Sequence, residues 1–443
     1  MVIVDCIVSG RIYWRGELVD AAIAIDDGKI FDVGLEVNLP KADRYYRFQD
    51  KIILPGLIDV HVHLRDQELS YKETFESGTM AAAAGGFTTV LDMPNNSPLT
   101  DSPSRFIDRV NLAKGRIYVN VGFYSLLPKC LSEVETIANL GAIGFKVYLN
   151  RRYGFLDPSD YDSLKQYLNV CGGIGIPVVF HAEDHSTISK LEDEFRGLSD
   201  FRGFMWAHPI EAEFKAVNGV LNIASASNCR VHIAHVTSGL IVDLISKFRG
   251  LATCEVTPHH LFLTSDVLHK LGGIAKMEPP LRGIFDVISL WNSVRNGLVD
   301  VIADDHAPHS IEEKFGESFW DIKSGIPGLE TTLPLMLTAV NYGLIGIGDI
   351  VKLMSFNPSR IFNIRGKGSI EPGLDADLTI VDLDREWVID SSKFYSKAKF
   401  SPFDGFKVKG IVKATFVNGL MVYDGDEIIC KGGEILFGRR IRG

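Results

Sequence analysis

Cysteine is scarce. The chain has six in 443 residues (Cys6, Cys130, Cys171, Cys229, Cys254 and Cys430), and no two form a Cys-x-x-Cys pair. That spacing excludes a disulfide framework and reads as separate thiols of a reducing compartment. Long hydrophobic runs are missing too. No stretch reaches the roughly 20 apolar residues of a membrane span, and the opening Met-Val-Ile-Val-Asp-Cys lacks the basic start of a secretory signal. Basic charge is in deficit: 46 Lys and Arg stand against 56 Asp and Glu, a net charge of −10 without blocks of either sign. Such a chain is not built for nucleic acid, and an anionic ligand would need a local basic pocket. The expectation is a cytoplasmic protein with neither a membrane nor a nucleic-acid partner.

What is present is length and apolar content. At 443 residues with 46% hydrophobic side chains, the chain suits a large barrel with an accessory domain. Residues 1–50 alternate on a short period, with turns at Ser9-Gly10 and Asp27-Gly28-Lys29. That texture returns after about residue 366, in Ala376-Asp377-Leu378-Thr379-Ile380-Val381 and Ala414-Thr415-Phe416-Val417-Asn418-Gly419. Both ends therefore predict one composite β-sandwich domain, 1–52 plus 366–443. Between them, 53–365 alternates short apolar strands with helical stretches. Strands are predicted at 57–63, 87–92, 117–123, 143–149, 177–182, 230–236, 252–257 and 299–304, with a first helix near Glu73–Ala84. Eight such units make an α/β fold, a TIM-like (β/α)₈ barrel. Functional residues are then expected where its strands end.

The most telling stretch is Asp59-Val60-His61-Val62-His63-Leu64-Arg65. Ile58, Val60 and Val62 alternate with Asp59, His61 and His63, so both imidazoles point the same way, as half of a metal site would need. Lys146 lies amid apolar neighbours in Phe145-Lys146-Val147-Tyr148. Desolvation favours its neutral amine, which can take up carbon dioxide to give an anionic carbamate. Otherwise its head would snorkel to the barrel mouth. The strand 177–182 runs into His181. The strand 230–236 offers His232 and His235 with opposite parity, so only one should face the barrel axis, and His235 lies nearer the end. The strand 299–304 runs into Asp304-Asp305-His306, from which one acid should reach the site. Nitrogen and oxygen donors without thiolate suit zinc, with manganese or cobalt as substitutes, and the set is large enough for two ions.

Taken together, the chain resembles the amidohydrolase superfamily, in its cyclic-amidase branch, and within that branch the dihydroorotases. The resemblance spans essentially the whole chain. It rests on His61-Val62-His63-Leu64-Arg65, Met93-Pro94-Asn95-Asn96, Phe145-Lys146-Val147-Tyr148-Leu149-Asn150 and Asp305-His306-Ala307-Pro308-His309. It is supported by Ile326-Pro327-Gly328-Leu329-Glu330-Thr331 and Ser401-Pro402-Phe403-Asp404-Gly405. It implies His61 and His63 on one zinc, His181 and His235 on a second, and carboxylated Lys146 bridging the two. It selects Asp305 as metal ligand and proton shuttle, and Arg65, Asn95 and His309 as contacts to a substrate carboxylate. Local roles for these three are an Arg65–Asp66 ion pair and loop anchoring by Asn95 and His309. The implied reaction interconverts dihydroorotate and N-carbamoyl-L-aspartate in pyrimidine biosynthesis. A homo-oligomer or a carbamoyltransferase partner would fit the family.

Two details depart from the dihydroorotase pattern. Glu278 precedes Pro279-Pro280-Leu281-Arg282 where the family has Asn, and Arg152-Tyr153 replaces a Thr-Phe of some relatives. A free carboxylate at 278 should repel an anionic substrate unless a partner such as Arg282 neutralises it. The neighbouring readings are hydantoinase or dihydropyrimidinase, and allantoinase. A non-catalytic assembly partner is the reading from a different class.

Overall fold

The computed structural model describes residues 3–438. Seven strands form a mainly antiparallel sheet from the two ends of the chain: β1 (Ile3–Trp14), β2 (Glu17–Asp26), β3 (Lys29–Gly34) and β4 (Lys41–Pro55) before the barrel, and β13 (Leu378–Val388), β14 (Lys407–Val417) and β15 (Leu420–Tyr423) after it. The barrel strands between them are β5 (Leu57–Val62), β6 (Phe87–Asp92), β7 (Asn120–Leu126), β8 (Gly144–Tyr148), β9 (Val178–His181), β10 (Val231–Ile233), β11 (Ala252–Val256) and β12 (Val301–Ile302). The order in the terminal sheet is β15-β14-β13-β4-β1-β2-β3, with only β1 and β4 parallel. Ile30 N and Ala376 N donate to Leu374 O and Gly28 O, each at 2.9 Å, so the β2–β3 turn meets the chain entering β13. The sheet thus curls around one apolar cluster that takes Val8, Ile23, Ile30, Ile53, Leu378 and Phe416 from six of its strands.

The eight parallel strands run β5 to β12 in sequence order. Closure comes just beyond β12, where Val62 bridges His306 and His63 N donates to His306 O at 2.8 Å. The first helix, Phe75–Ala84, begins where Thr74 caps Ser77 N, a polar stop that satisfies an otherwise orphaned helix donor. Gly56 separates β4 from β5. A Cβ there would lie 2.3 Å from Thr88 Oγ1 and 2.7 Å from Asp377 Cβ, so the close seat of barrel on sheet requires glycine. The segment after β15 folds back on that strand, where Tyr423 bridges Ile428 and Ile429 N donates to Val422 O at 2.8 Å, and then leaves the terminal sheet. Its strand β16 (Ile435–Leu436) pairs with β7 at Val121 and Gly122, beside the barrel's interior cluster.

The apolar alternation of β5 breaks midway. Ile58 and Val60 pack inside the barrel with Leu91, Tyr124, Val179 and Val301. Val62 and Leu64 pack outside, in the layer between barrel and helices. The register against β6 shifts between Asp59 and Val62. That bulge turns His61 and His63 inward, an example of an irregularity re-aiming side chains beside a site.

Candidate metal centre and its pocket

The C-terminal ends of the barrel strands surround a pocket of about 560 Å³. His61, His63 and Asp305 place one ligating atom each within 4.8 Å of the others. Asp305 Oδ1 lies 3.3 Å from His61 Nε2 and 3.1 Å from His63 Nε2. The other ring nitrogens are committed: His61 Nδ1 to Glu255 Oε1 at 2.5 Å, His63 Nδ1 to Asn95 Oδ1 at 2.7 Å. Each Nδ1 therefore carries the proton and each Nε2 keeps its lone pair for the cavity, the tautomer a metal needs. Burial pushes His63 down to about 3, against the pull of Asp305. For Asp305, burial opposes charge, but His61 and His63 outweigh it and hold the carboxyl well below its usual range. Ring nitrogens converging on an ionised carboxylate have the chemistry of a cation site.

His181 and His235 stand opposite, with ring centroids 4.5 Å apart, and His235 is 5.3 Å from His61. His181 Nε2 bonds Glu183 Oε2 at 2.6 Å. His235 Nδ1 is buried with no partner. The positive φ of 38° at His235 sets its backbone off the strand alternation. Only one of His232 and His235 was expected on the axis, and that expectation fails. His232 packs against the interior ring of Phe362 and bonds Glu255 Oε2 at 3.0 Å, one layer beneath the site. Asp305 is re-aimed in the same way, by a φ of 48°, whereas Asp304 turns aside to accept from His306 N at 2.7 Å. Such conformations are costly and gather at functional sites.

Lys146 Nζ is fully buried and unpartnered. Desolvation lowers it to about 8, despite the attraction of Glu255 and Asp305. A buried amine without an acceptor is an anomaly in a folded protein, and it lies on β8 between the strands that carry the two histidine pairs. With His235 Nδ1, it is an atom left waiting for a ligand.

Arg65 lines the pocket. Its φ is 52°, and its Nε donates to Pro308 O at 3.3 Å. No carboxylate pairs with it among the described residues. The local ion pair with Asp66 is not formed, because Asp66 pairs with Arg116 at 2.8 Å. His309 is more occupied. Its Nε2–H donates to Ser324 O at 3.0 Å and its Nδ1 accepts from Lys72 Nζ at 3.1 Å. The pocket wall carries Arg65, Lys72, Arg151, Arg196, Lys276 and Lys323 against Glu192, Glu278 and Asp305. A chain with a net charge of −10 thus has a basic pocket. Glu278 is neutralised by Arg151, not Arg282; the Arg282 guanidinium reaches Thr237 Oγ1 at 2.9 Å. Burial opposes charge on Glu278, and Arg151 reverses that, holding it at about 2.

Three residues escaped the sequence reading. Glu255 joins His61 Nδ1, His232 Nε2 and His235 N. Glu183 joins His181 to His208. Glu73 takes His306 Nε2 at 3.3 Å and Ser396 Oγ at 2.5 Å. A carboxylate inside the apolar strand Ala-Thr-Cys-Glu-Val is the same signal that flagged Lys146, and would have found Glu255.

Residues 52–422 match the model of the amidohydrolase family. The chain belongs to that family. A dihydroorotase from Pyrococcus furiosus is 38% identical, over 96% of this chain and 94% of its own length. An allantoinase from Solibacter usitatus is 34% identical, over 98% and 96%. Among solved structures, the L-hydantoinase (dihydropyrimidinase) from Arthrobacter aurescens superposes with a TM-score of 0.94 at 31% identity, covering 98% of this chain and all of that one. Among the described residues, no helix of this amidohydrolase is long and apolar enough to cross a membrane.

Proposed function

We propose that the protein is a zinc-dependent cyclic amide hydrolase, a dihydroorotase that interconverts dihydroorotate and N-carbamoyl-L-aspartate for pyrimidine synthesis. The carrying observation is Arg65, a buried guanidinium with no carboxylate of its own in a pocket shared with His61, His63 and Asp305. A substrate carboxylate would complete it with two parallel charge-assisted hydrogen bonds. The uncharged rings of dihydrouracil and hydantoin, or that of allantoin, would leave it unpaired. A non-catalytic role would leave the convergent ligand atoms without purpose. The six unpaired thiols are consistent with a cytoplasmic setting.

The donor set fits two divalent cations. His61, His63 and Asp305 would hold one, and His181 and His235 the other, with Lys146 between them as a carbamate formed from its neutral amine and carbon dioxide with release of one proton. Bound there, such ions supply an acidified water and polarise the amide carbonyl. The remaining work belongs to the chain's own groups. Arg65 and the Asn95 amide orient the carboxylate at a wall that His309 borders. Asp305 accepts the proton of the attacking water and delivers it to the ring nitrogen as the C–N bond breaks. In reverse, the same carboxylate takes that proton back and the ring closes.

The test is a substrate panel on the metal-loaded enzyme. Dihydroorotate should exceed dihydrouracil, hydantoin and allantoin in kcat/KM. A preference for dihydrouracil or hydantoin would transfer the assignment to dihydropyrimidinase.

A further inference from the structure

Glu278 is an ionised group in a pocket that the reading above gives to an anion, and Arg151 is what makes it tolerable. The Arg151 Nη2 group contacts both Glu278 oxygens, and Asn150 Nδ2 donates to Oε1 at 2.8 Å. These contacts use three of the roughly four acceptor directions of a carboxylate. On Arg151, only Nη2 is engaged with Glu278, which leaves the hydrogens on Nε and Nη1 available. Both residues line the cavity. A Glu278 oxygen also comes within 4.8 Å of a ring nitrogen of His181, which places the pair beside the reacting centre. The unit is neutral as a whole, and it offers a ligand one acceptor next to several donors.

We propose that Glu278 and Arg151 together read the ureido edge of the substrate ring, Glu278 accepting the ring N–H that lies outside the scissile imide and Arg151 donating to the carbonyl between the two ring nitrogens. The pair then selects cyclic ureides over cyclic imides. The inference rests on the cyclic amide hydrolase reading. It concerns a part of the ring that neither Arg65 nor the metal ligands address. A donor beside an acceptor matches –NH–CO– in one orientation only, so the selection is by hydrogen-bond pattern and not by size.

The experiment compares dihydroorotate with 2,6-dioxopiperidine-4-carboxylate. That ring keeps the carboxylate and the scissile imide but carries CH₂ in place of one N–H. The readout is the ureide-to-imide ratio of kcat/KM, in the full-length, metal-loaded enzyme. Loss of a charge-assisted hydrogen bond should lower the ratio at least about tenfold in an E278L/R151M variant, because the ureide loses both contacts while the imide loses only the one from Arg151 to its carbonyl. Glu278→Gln keeps a weaker, neutral acceptor and should lower the ratio partially. The exchanged pair, R151E/E278R, restores the ion pair across the same two loops but reverses donor and acceptor, and its ratio should stay low. If the two residues only clasp the loops together, the variants will lose both substrates equally, or the exchanged pair will recover the wild-type ratio. Either outcome overturns the proposal. If the wild type hydrolyses neither ring, the functional reading itself falls, and this one with it.

Discussion

Replacing Arg65 by Met tests substrate recognition most sharply. Met fills the stem's volume, and because it is unbranched at Cβ as Arg is, it meets a similar penalty at a φ of 52°, so backbone strain is little changed. What disappears is the fork. A carboxylate on a guanidinium makes two charge-assisted bonds, each worth about 1.5–3 kcal/mol in net terms. Together they correspond to about 3–6 kcal/mol, roughly 10²- to 10⁴-fold in kcat/KM at about 1.4 kcal/mol per decade. Burial already disfavours the charge on Arg65, so the protein bears that desolvation before substrate arrives, and little of the interaction is spent on it. The assay is steady-state hydrolysis of dihydroorotate and dihydrouracil, the same ring without the carboxylate, by wild type, Arg65→Met and Arg65→Lys. The loss should fall on dihydroorotate and spare dihydrouracil, with Lys intermediate because it keeps charge without the fork. An equal loss on both substrates would refute the reasoning and reduce Arg65 to its bond with Pro308, a loop anchor.

Three further outcomes are expected. Lys146→Ala should lose metal and turnover together, and short carboxylic acids that fill the vacated space should partly restore both; activity that survives without added acid would count against a bridging carbamate. Glu255→Ala leaves His61 Nδ1 and His232 Nε2 without their acceptor, and metal affinity measured by chelator competition should fall about 10- to 100-fold; an unchanged affinity would show that barrel packing alone orients His61. Glu330 is half-buried, with its carboxyl pushed up to about 8 by desolvation against the hydrogen bonds it accepts from Tyr395 N and Ser396 N. Its folded value lies above its unfolded one, so its contribution is full below about pH 4.5 and is lost as pH rises through 8. The stability of Glu330→Gln relative to wild type, measured by denaturation, should therefore rise across that window, by at most about 5 kcal/mol, and a pH-independent difference would refute the shift.

Much of this was legible because two physical signals are local. Hydrophobic periodicity marks barrel strands, and a polar residue inside an apolar strand must have a reason to be there, which exposed His61, His63 and Lys146. Parity arguments failed where the backbone left the ideal strand. The bulge in β5 and the positive φ at His235 and Asp305 re-aim side chains in ways that alternation cannot foresee. They are visible only once the barrel has closed. The role of Arg151 was illegible for a different reason. Its partner lies 127 residues away, and nothing in Asn-Arg-Arg-Tyr distinguishes the arginine that neutralises Glu278 from its neighbour Arg152, which instead ties its own loop through Gly154 O and Phe155 O. The basic pocket was hidden in the same way, because an overall charge of −10 says nothing of how lysines and arginines gather on one wall.

The central claim is that His61, His63, Lys146, His181, His235 and Asp305 assemble a two-metal centre that carries out amide hydrolysis. The direct measurement is dihydroorotate turnover as a function of bound metal, counted by elemental analysis on the same samples after chelation and stepwise reloading with zinc. The account predicts close to two ions per chain in the active protein, no turnover after chelation, and recovery that follows the metal content. Full turnover by metal-free protein would contradict it.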